Sequence, residues 1–216
     1  MEIFDIKNLA WLIILGNILM YLSTIVISRL WSKFFNHKEY PLTSKDIRNS
    51  IVVLIINILI AIPGYVLLIK GHISFTIAES FFTDLLLLII IFDFAMYILH
   101  FMAHRVWPFS IFHEKHHEHQ YFNMISLYVM EPIESILFGA LLTVVVYLST
   151  FNIFSFIVFL FFNWILGVIG HLNTNSDIQP KVFGNQVFHK AHHQFSDCNF
   201  GFYTVLWDRV FGTYKK

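Results

Sequence analysis

Charge is scarce in this chain: only 13% of its 216 residues are Asp, Glu, Lys or Arg, while 57% are hydrophobic and the mean hydropathy is +0.67. So apolar a composition does not fit an ordinary soluble domain and points to a membrane protein. Neither sign of charge is in excess, with 14 basic and 14 acidic residues, and no basic helix or RNA-binding signature occurs, so no nucleic-acid partner is expected. Cysteine is almost missing. The single Cys198 excludes an internal disulfide framework and any Cys-rich zinc or iron–sulfur site. No GxGxxG fingerprint follows a strand, and no repeat, linker or low-complexity segment breaks the chain. Against these absences stand twelve histidines.

Long apolar runs set the organisation. Leu9–Ile27 is long enough to cross a bilayer as a helix, which takes about 20 residues. It is too long for a signal-peptide core and is followed by Arg29 rather than a small-residue cleavage site, so it is expected to be retained. Arg29, Lys33, Lys38, Lys45 and Arg48 occupy the next loop, and the positive-inside rule places that loop in the cytoplasm. Ile51–Ile69 leads outward; Pro63-Gly64 inside it reads as a tolerated kink. A third run, Phe81–Leu99, returns the chain to the cytoplasmic side, where a polar stretch from His100 to Asn123 begins. The apolar stretch from Ile133 to Ile169 is too long for one span and suits a hairpin of two short helices turning near Ser149–Asn152. The expected architecture is all-α: a multi-pass bundle of about four to five membrane helices with its histidines on the cytoplasmic side. Residues 1–79 supply the N-terminal membrane helices and basic loop, and residues 80–216 form the catalytic unit, the two integrated as one.

Eight histidines fall into three groups: His100-x3-His104, His113-x2-His116-His117 and His189-x2-His192-His193. On a helix, positions i, i+3 and i+4 project from one side, so each group is expected to aim its imidazoles at a common point. Eight ligands suit two metal ions better than one, held between helices by inward-facing side chains. Packed imidazoles without a metal would leave unsatisfied nitrogens or repelling charges next to an apolar bundle. Imidazole suits iron, zinc, copper and nickel alike.

These groups, with Asp93-x3-Tyr97 ahead of them and Asn199-Phe-Gly201 and Trp207-Asp208-Arg209-Val-Phe211-Gly212-Thr213 behind, resemble the fatty acid hydroxylase/sterol desaturase superfamily over roughly residues 80–216. Many members carry an arginine directly after the first histidine of the HxxxH group; here Phe101 stands there and Arg105 follows the second. The resemblance implies an integral membrane enzyme that uses a dinuclear non-haem centre, O₂ and external electrons to hydroxylate or desaturate lipids. An unactivated C–H bond resists acid–base chemistry, so the working metals are expected to be two iron ions, with zinc possible in purified material. No cofactor motif is visible, so electrons are expected from a separate reductase with a cytochrome b5 or ferredoxin carrier. The expected location is the inner membrane of a bacterium or the endoplasmic reticulum of a eukaryote, with an apolar tunnel between the helices for the lipid.

His171, just past the fifth run, is expected as a ninth ligand, with Asn175 a turn later as an orienting or capping group. Asp93 lies two turns before His100 and is expected to orient a metal-bound imidazole such as His100, or to bond Tyr97. Asp84 reads as a headgroup-boundary residue, and Glu131 as either a helix start or a support to the metal site. Glu114 and Glu118 read as a solvated flank, while His37, His72 and His119 are not expected to be ligands. Trp207-Asp208-Arg209 reads as a structural Asp–Arg lock. Two other functions are compatible with many histidines. A metal transporter or sensor would place ligands near mid-membrane or on both sides. A hydrolytic zinc membrane enzyme would use fewer ligands and a dedicated general base.

Overall fold

Apolar side chains on all sides of a helix have no water-facing stripe to offer, and in lipid every backbone group must be bonded within the segment. Four helices of the computed structural model are long and apolar enough to cross a membrane. The structure describes residues 6–38, 40–117 and 122–215, with the side chains of residues 6, 7, 114 and 115 also outside the description. The readings of Glu114, Glu118 and His119 therefore lie outside the described residues. Helix α1 (Ile6–Phe34) exposes Trp11, Leu15, Leu19, Leu22, Val26 and Leu30, as expected of a helix facing lipid. Helix α2 (Ser44–Ile69) starts at a capping box in which Asp46 N–H donates to Thr43 Oγ1 (3.1 Å) and Thr43 N–H to Asp46 Oδ2 (3.2 Å). It runs unbroken through Pro63.

Helix α3 (Phe81–Arg105) carries His100 and His104 in its last turns, and the short α4 (Phe109–His117) carries the second histidine group. The apolar stretch after it forms a hairpin, α5 (Pro132–Leu148) and α6 (Ile153–Gly170), with the break where the sequence places it. Two strands of two residues, β1 (Phe75–Thr76) and β2 (Phe151–Asn152), pair in parallel and join the α2–α3 connection to the hairpin turn. Asp84 takes part in this junction. Its carboxylate accepts from Asn152 N–H (2.6 Å) and Ser80 Oγ (2.8 Å), and it is buried. This junction lies at the start of α3, so most of that helix, at about 1.5 Å per residue, separates it from the histidines in its last turns.

Since lipid tails are as apolar as the side chains, packing rather than water exclusion holds such helices together. Phe92 of α3 and Phe159 of α6 stack with centroids 4.7 Å apart, and both are fully buried with Leu88 and Tyr203. Between α2 and α5 the close approach depends on Gly139: a Cβ there would lie 2.5 Å from Ile60 Cγ2. Beside it, Ser135 Oγ donates to Asn57 Oδ1. We expect Gly139→Ala to destabilise the detergent-solubilised protein by about 1–3 kcal/mol through overpacking, and Ile60→Ala in the same chain to restore most of the loss. Thermal unfolding of the two variants checks this; an unchanged midpoint for Gly139→Ala would contradict the contact.

Candidate metal centre

Nine imidazoles meet at one end of the bundle in two groups, in each of which the potential ligand nitrogens lie within 4.8 Å of one another. One contains His100, His104, His113, His117 and His192; the other contains His116, His171, His189 and His193. His171, at the C-terminus of α6, thus joins the eight clustered histidines, whereas His37 and His72 belong to neither group.

The expectation that each HxxHH run converges on one point is corrected. Successive helical residues turn by about 100°, so i+4 lies about 40° from i, while i+3 lies about 60° away on the other side. The i, i+4 pairs accordingly stay together: His113 with His117 in one group, His189 with His193 in the other. The i+3 members cross over, His116 to the second group and His192 to the first. Helices α4 and α7 (Gln186–Gln194) therefore each contribute to both groups, which ties the two together.

Hydrogen bonds fix the tautomers. His100 Nδ1 donates to the Phe200 carbonyl (2.9 Å), His192 Nδ1 to Cys198 (2.7 Å), His116 Nδ1 to Val129 (3.3 Å) and His171 Nδ1 to Gly167 (2.8 Å). His113 Nδ1 donates to the Glu134 carboxylate. A carbonyl or carboxylate oxygen only accepts, so each of these rings carries its proton on Nδ1 and a lone pair on Nε2. Yet Nε2 of His100 and Nε2 of His113 are 3.1 Å apart. Similar spacings separate Nε2 of His104 and His192 (3.2 Å), His171 and His189 (3.3 Å), and His189 and His193 (3.2 Å). In His100 and His113, where both Nδ1 protons are placed, the opposed lone pairs repel unless a cation lies between them. Donors that bond one ion at about 2.1 Å, at roughly tetrahedral to right angles, are themselves about 3.0–3.4 Å apart, which these spacings match.

Electrostatics keeps the rings in the ligand form. Burial, partly opposed by the Glu134 carboxylate and reinforced by neighbouring imidazoles, lowers His116 to about 3; burial with neighbouring imidazoles lowers His117 to about 4, and burial alone lowers His113 to about 4. His189, His192 and His193 are pushed well below the ordinary value by the same causes, burial first.

The polar residues of the tail serve the cage indirectly. Asp208, fully buried, accepts from Phe200 N–H (2.8 Å), Gly201 N–H (2.7 Å) and Thr213 Oγ1 (2.7 Å), and so sets the carbonyl that holds His100. Gly201 is required there, since a Cβ would lie 2.3 Å from the Thr204 carbonyl oxygen. Arg209 does not lock onto Asp208; it reaches the Pro180 carbonyl (3.3 Å) and lies over Tyr214. Asp93 is likewise not on His100. Its carboxylate accepts from Tyr203 N–H (3.2 Å), Thr204 N–H (2.9 Å) and Thr204 Oγ1 (2.5 Å), anchoring the tail to α3, while Tyr97 bonds Thr213 (3.1 Å). Asn175 is exposed on a loop, because α6 has already ended at Gly170; Asn173 instead bonds the Phe122 carbonyl (2.5 Å), and Phe122 packs on His171 and His193. Glu131 is the N-cap of α5. Glu134 is the contributor that the sequence reading passes over, although a second carboxylate at the mouth of an apolar run was a signal.

The cavities adjoining the cage are small. One of about 20 Å³ is lined by Arg29, Tyr40, Asn123 and His171 among others, and one of about 10 Å³ by Gly170, Phe188 and His189 among others. Each is of the scale of one water.

Residues 113–117 also spell HExxH, a pattern that the reading of the acidic residues as a solvated flank overlooks. Hydrolytic zinc sites keep an open position beside three protein ligands. Here His100, His104 and His192 join His113 and His117 in one group, which is more ligands than such a site uses.

Comparison with known proteins gives a consistent picture. The family model for fatty acid hydroxylases matches residues 85–213. A Delta(7)-sterol 5(6)-desaturase of Eremothecium gossypii is 26% identical over 155 residues, covering 71% of this chain and 42% of that protein. Cholesterol 25-hydroxylase-like protein 1, member 2 of Danio rerio is 25% identical, covering 91% of this chain and 78% of its own length. Human cholesterol 25-hydroxylase is 25% identical, over 61% of this chain and 51% of its own. The chain thus spans about half the length of several of the curated relatives it matches. No solved structure matches.

The depressed proton affinities have a sign that can be checked. A neutral imidazole competes with protons for its metal, and an ordinary histidine would start to lose that competition near pH 6.5. The purified protein is expected to keep its metal as pH falls through 6.5 and to release it only toward the range of about 3 to 4 where His116, His113 and His117 protonate. Metal content after equilibration across that range checks this; release centred at 6 to 6.5 would contradict it.

Proposed function

Because the chain belongs to the fatty acid hydroxylase family, we propose that it is a membrane-embedded, O₂-dependent oxidoreductase that hydroxylates or desaturates a lipid C–H bond with two iron ions held in its histidine cage. The observation that carries this reading is the pair of adjoining all-imidazole groups at the ends of membrane-capable helices. Iron bound there supplies one-electron and O₂ chemistry, which a C–H bond without acidic character requires. The chain's own part is to hold the donors. His100, His104, His113, His117 and His192 would hold one ion, and His116, His171, His189 and His193 the other.

A relay of histidines for ion transport would spread ligands through the bilayer; here all nine gather at one end of the bundle. The end of α1 with Arg29 and Lys33, the connection with Lys38 and the start of α2 with Lys45 and Arg48 lie at that same end, since Trp31 Nε1 donates to the Asn173 carbonyl (2.8 Å) and Asn123 Nδ2 to Asp46 (3.0 Å). By the positive-inside rule this end faces the cytoplasm, where a cytochrome b5 or ferredoxin carrier could deliver electrons. The relatives named above act on sterols at positions 5(6) and 25, so the family alone does not set the position oxidised. In this chain the cage caps the helix ends, and seating a lipid's polar end deep in the span would cost several kcal/mol. That favours a carbon near the polar end of a sterol or acyl lipid.

Mass spectrometry of lipids from cells expressing the chain tests this. We expect one lipid to gain an oxygen or lose two hydrogens near its polar end, the product vanishing with His192→Ala and persisting with His37→Ala or His72→Ala. No lipid change, or equal loss from all three variants, would contradict the proposal.

A further inference from the structure

We propose that Glu134 is a positioning residue that makes the two metal positions unequal, strengthening the five-imidazole group through His113; this rests on reading the cage as a two-metal site. The remaining Nδ1 partners are alike and neutral: backbone carbonyls of Phe200 and Cys198 serve one group, those of Val129 and Gly167 the other. Among the described residues, Glu134 is the one carboxylate bonded to a cage imidazole. It is mostly buried, with 20% of its side chain exposed, and both oxygens are used: Oε1 accepts from His113 Nδ1 and Oε2 from Glu131 N–H (3.0 Å).

The sequence of α5 makes this arrangement possible. Glu134 is the N3 residue of a capping box with Glu131, in the first turn, where the free N–H groups of the helix favour an anion. Pro132 at the first helical position needs no hydrogen-bond partner there. A carboxylate that would otherwise be costly beside an apolar helix is thus held rigid and aimed at His113. By drawing on the Nδ1 proton it makes Nε2 a stronger donor to a bound cation than a backbone carbonyl can. The cage is then biased: among the described residues the five-imidazole group has more donors and the one directly bonded carboxylate, while His116 of the other group bonds a carbonyl.

The test is a chelator titration of the iron-loaded full chain in detergent, with iron counted per chain and the two sites resolved by Mössbauer spectroscopy. Two ions in the wild-type chain test the underlying reading, and one or none would sink that reading on its own. Given two, we expect them to leave the wild type at chelator concentrations at least tenfold apart. Glu134→Gln, which keeps the shape and removes the charge, should weaken the tighter ion about 10- to 100-fold, shift its spectrum alone and leave the other ion unchanged. Glu131→Ala removes the partner side chain of the helix cap without touching His113, and should leave both ions as in the wild type. Simultaneous loss of both ions from the wild type would overturn the proposal without any substitution. So would equal weakening of both ions in Glu134→Gln, no weakening at all, or the same effect from Glu131→Ala.

Discussion

Nε2 lone pairs that face one another across about 3 Å govern this structure. Backbone carbonyls and Glu134 take the Nδ1 protons of five rings, His100, His113, His116, His171 and His192, so these turn bare Nε2 nitrogens inward, and burial lowers the proton affinity of His113 and His116. Such an arrangement is repulsive alone and stable around cations. It explains why so many histidines are tolerated at the end of so apolar a bundle.

Keeping the lone pairs opposed is the work of the rest of the fold. The ends of α3 and α6, with α4 and α7, bring the rings together, and the crossing over of His116 and His192 links the two groups. Asp93 and Asp208 never touch a ring; they hold the tail in place so that Cys198 and Phe200 can present their carbonyls to His192 and His100. At the far end, Asp84 and Asn152 clasp the α2–α3 connection to the hairpin turn. Polar side chains are few in this chain, and several of them secure its connections.

Much of this was legible in the sequence because lipid imposes long apolar runs and metals impose short histidine spacings. The spans, the hairpin break near Asn152 and eight of the nine grouped histidines follow from those two constraints, while the solitary His171 was read from its place just past the fifth run. The partition into five and four did not, because spacing gives the face of a helix and not which neighbour each edge of that face meets. The roles of Asp93 and Asp208 were also hidden: a carboxylate two turns from His100 looks like its partner until the returning tail is seen to occupy it. Backbone carbonyls carry no sequence signature at all. Glu134 carried one, but its pairing with His113 spans 21 residues that include an irregular connection, which helical periodicity does not bridge.

Membership of the fatty acid hydroxylase family and an all-imidazole cage at one end of membrane-capable helices converge on lipid oxidation as the chemistry that the chain supports. The central claim is that the nine histidines themselves are the metal ligands. X-ray absorption at the metal edge of the purified protein tests it most directly: the account predicts a shell of nitrogen donors near 2.1 Å with the outer scattering of imidazole rings, averaging four to five rings per ion. A shell dominated by carboxylate oxygen or containing sulfur, or one with only one or two imidazoles per ion, would contradict it.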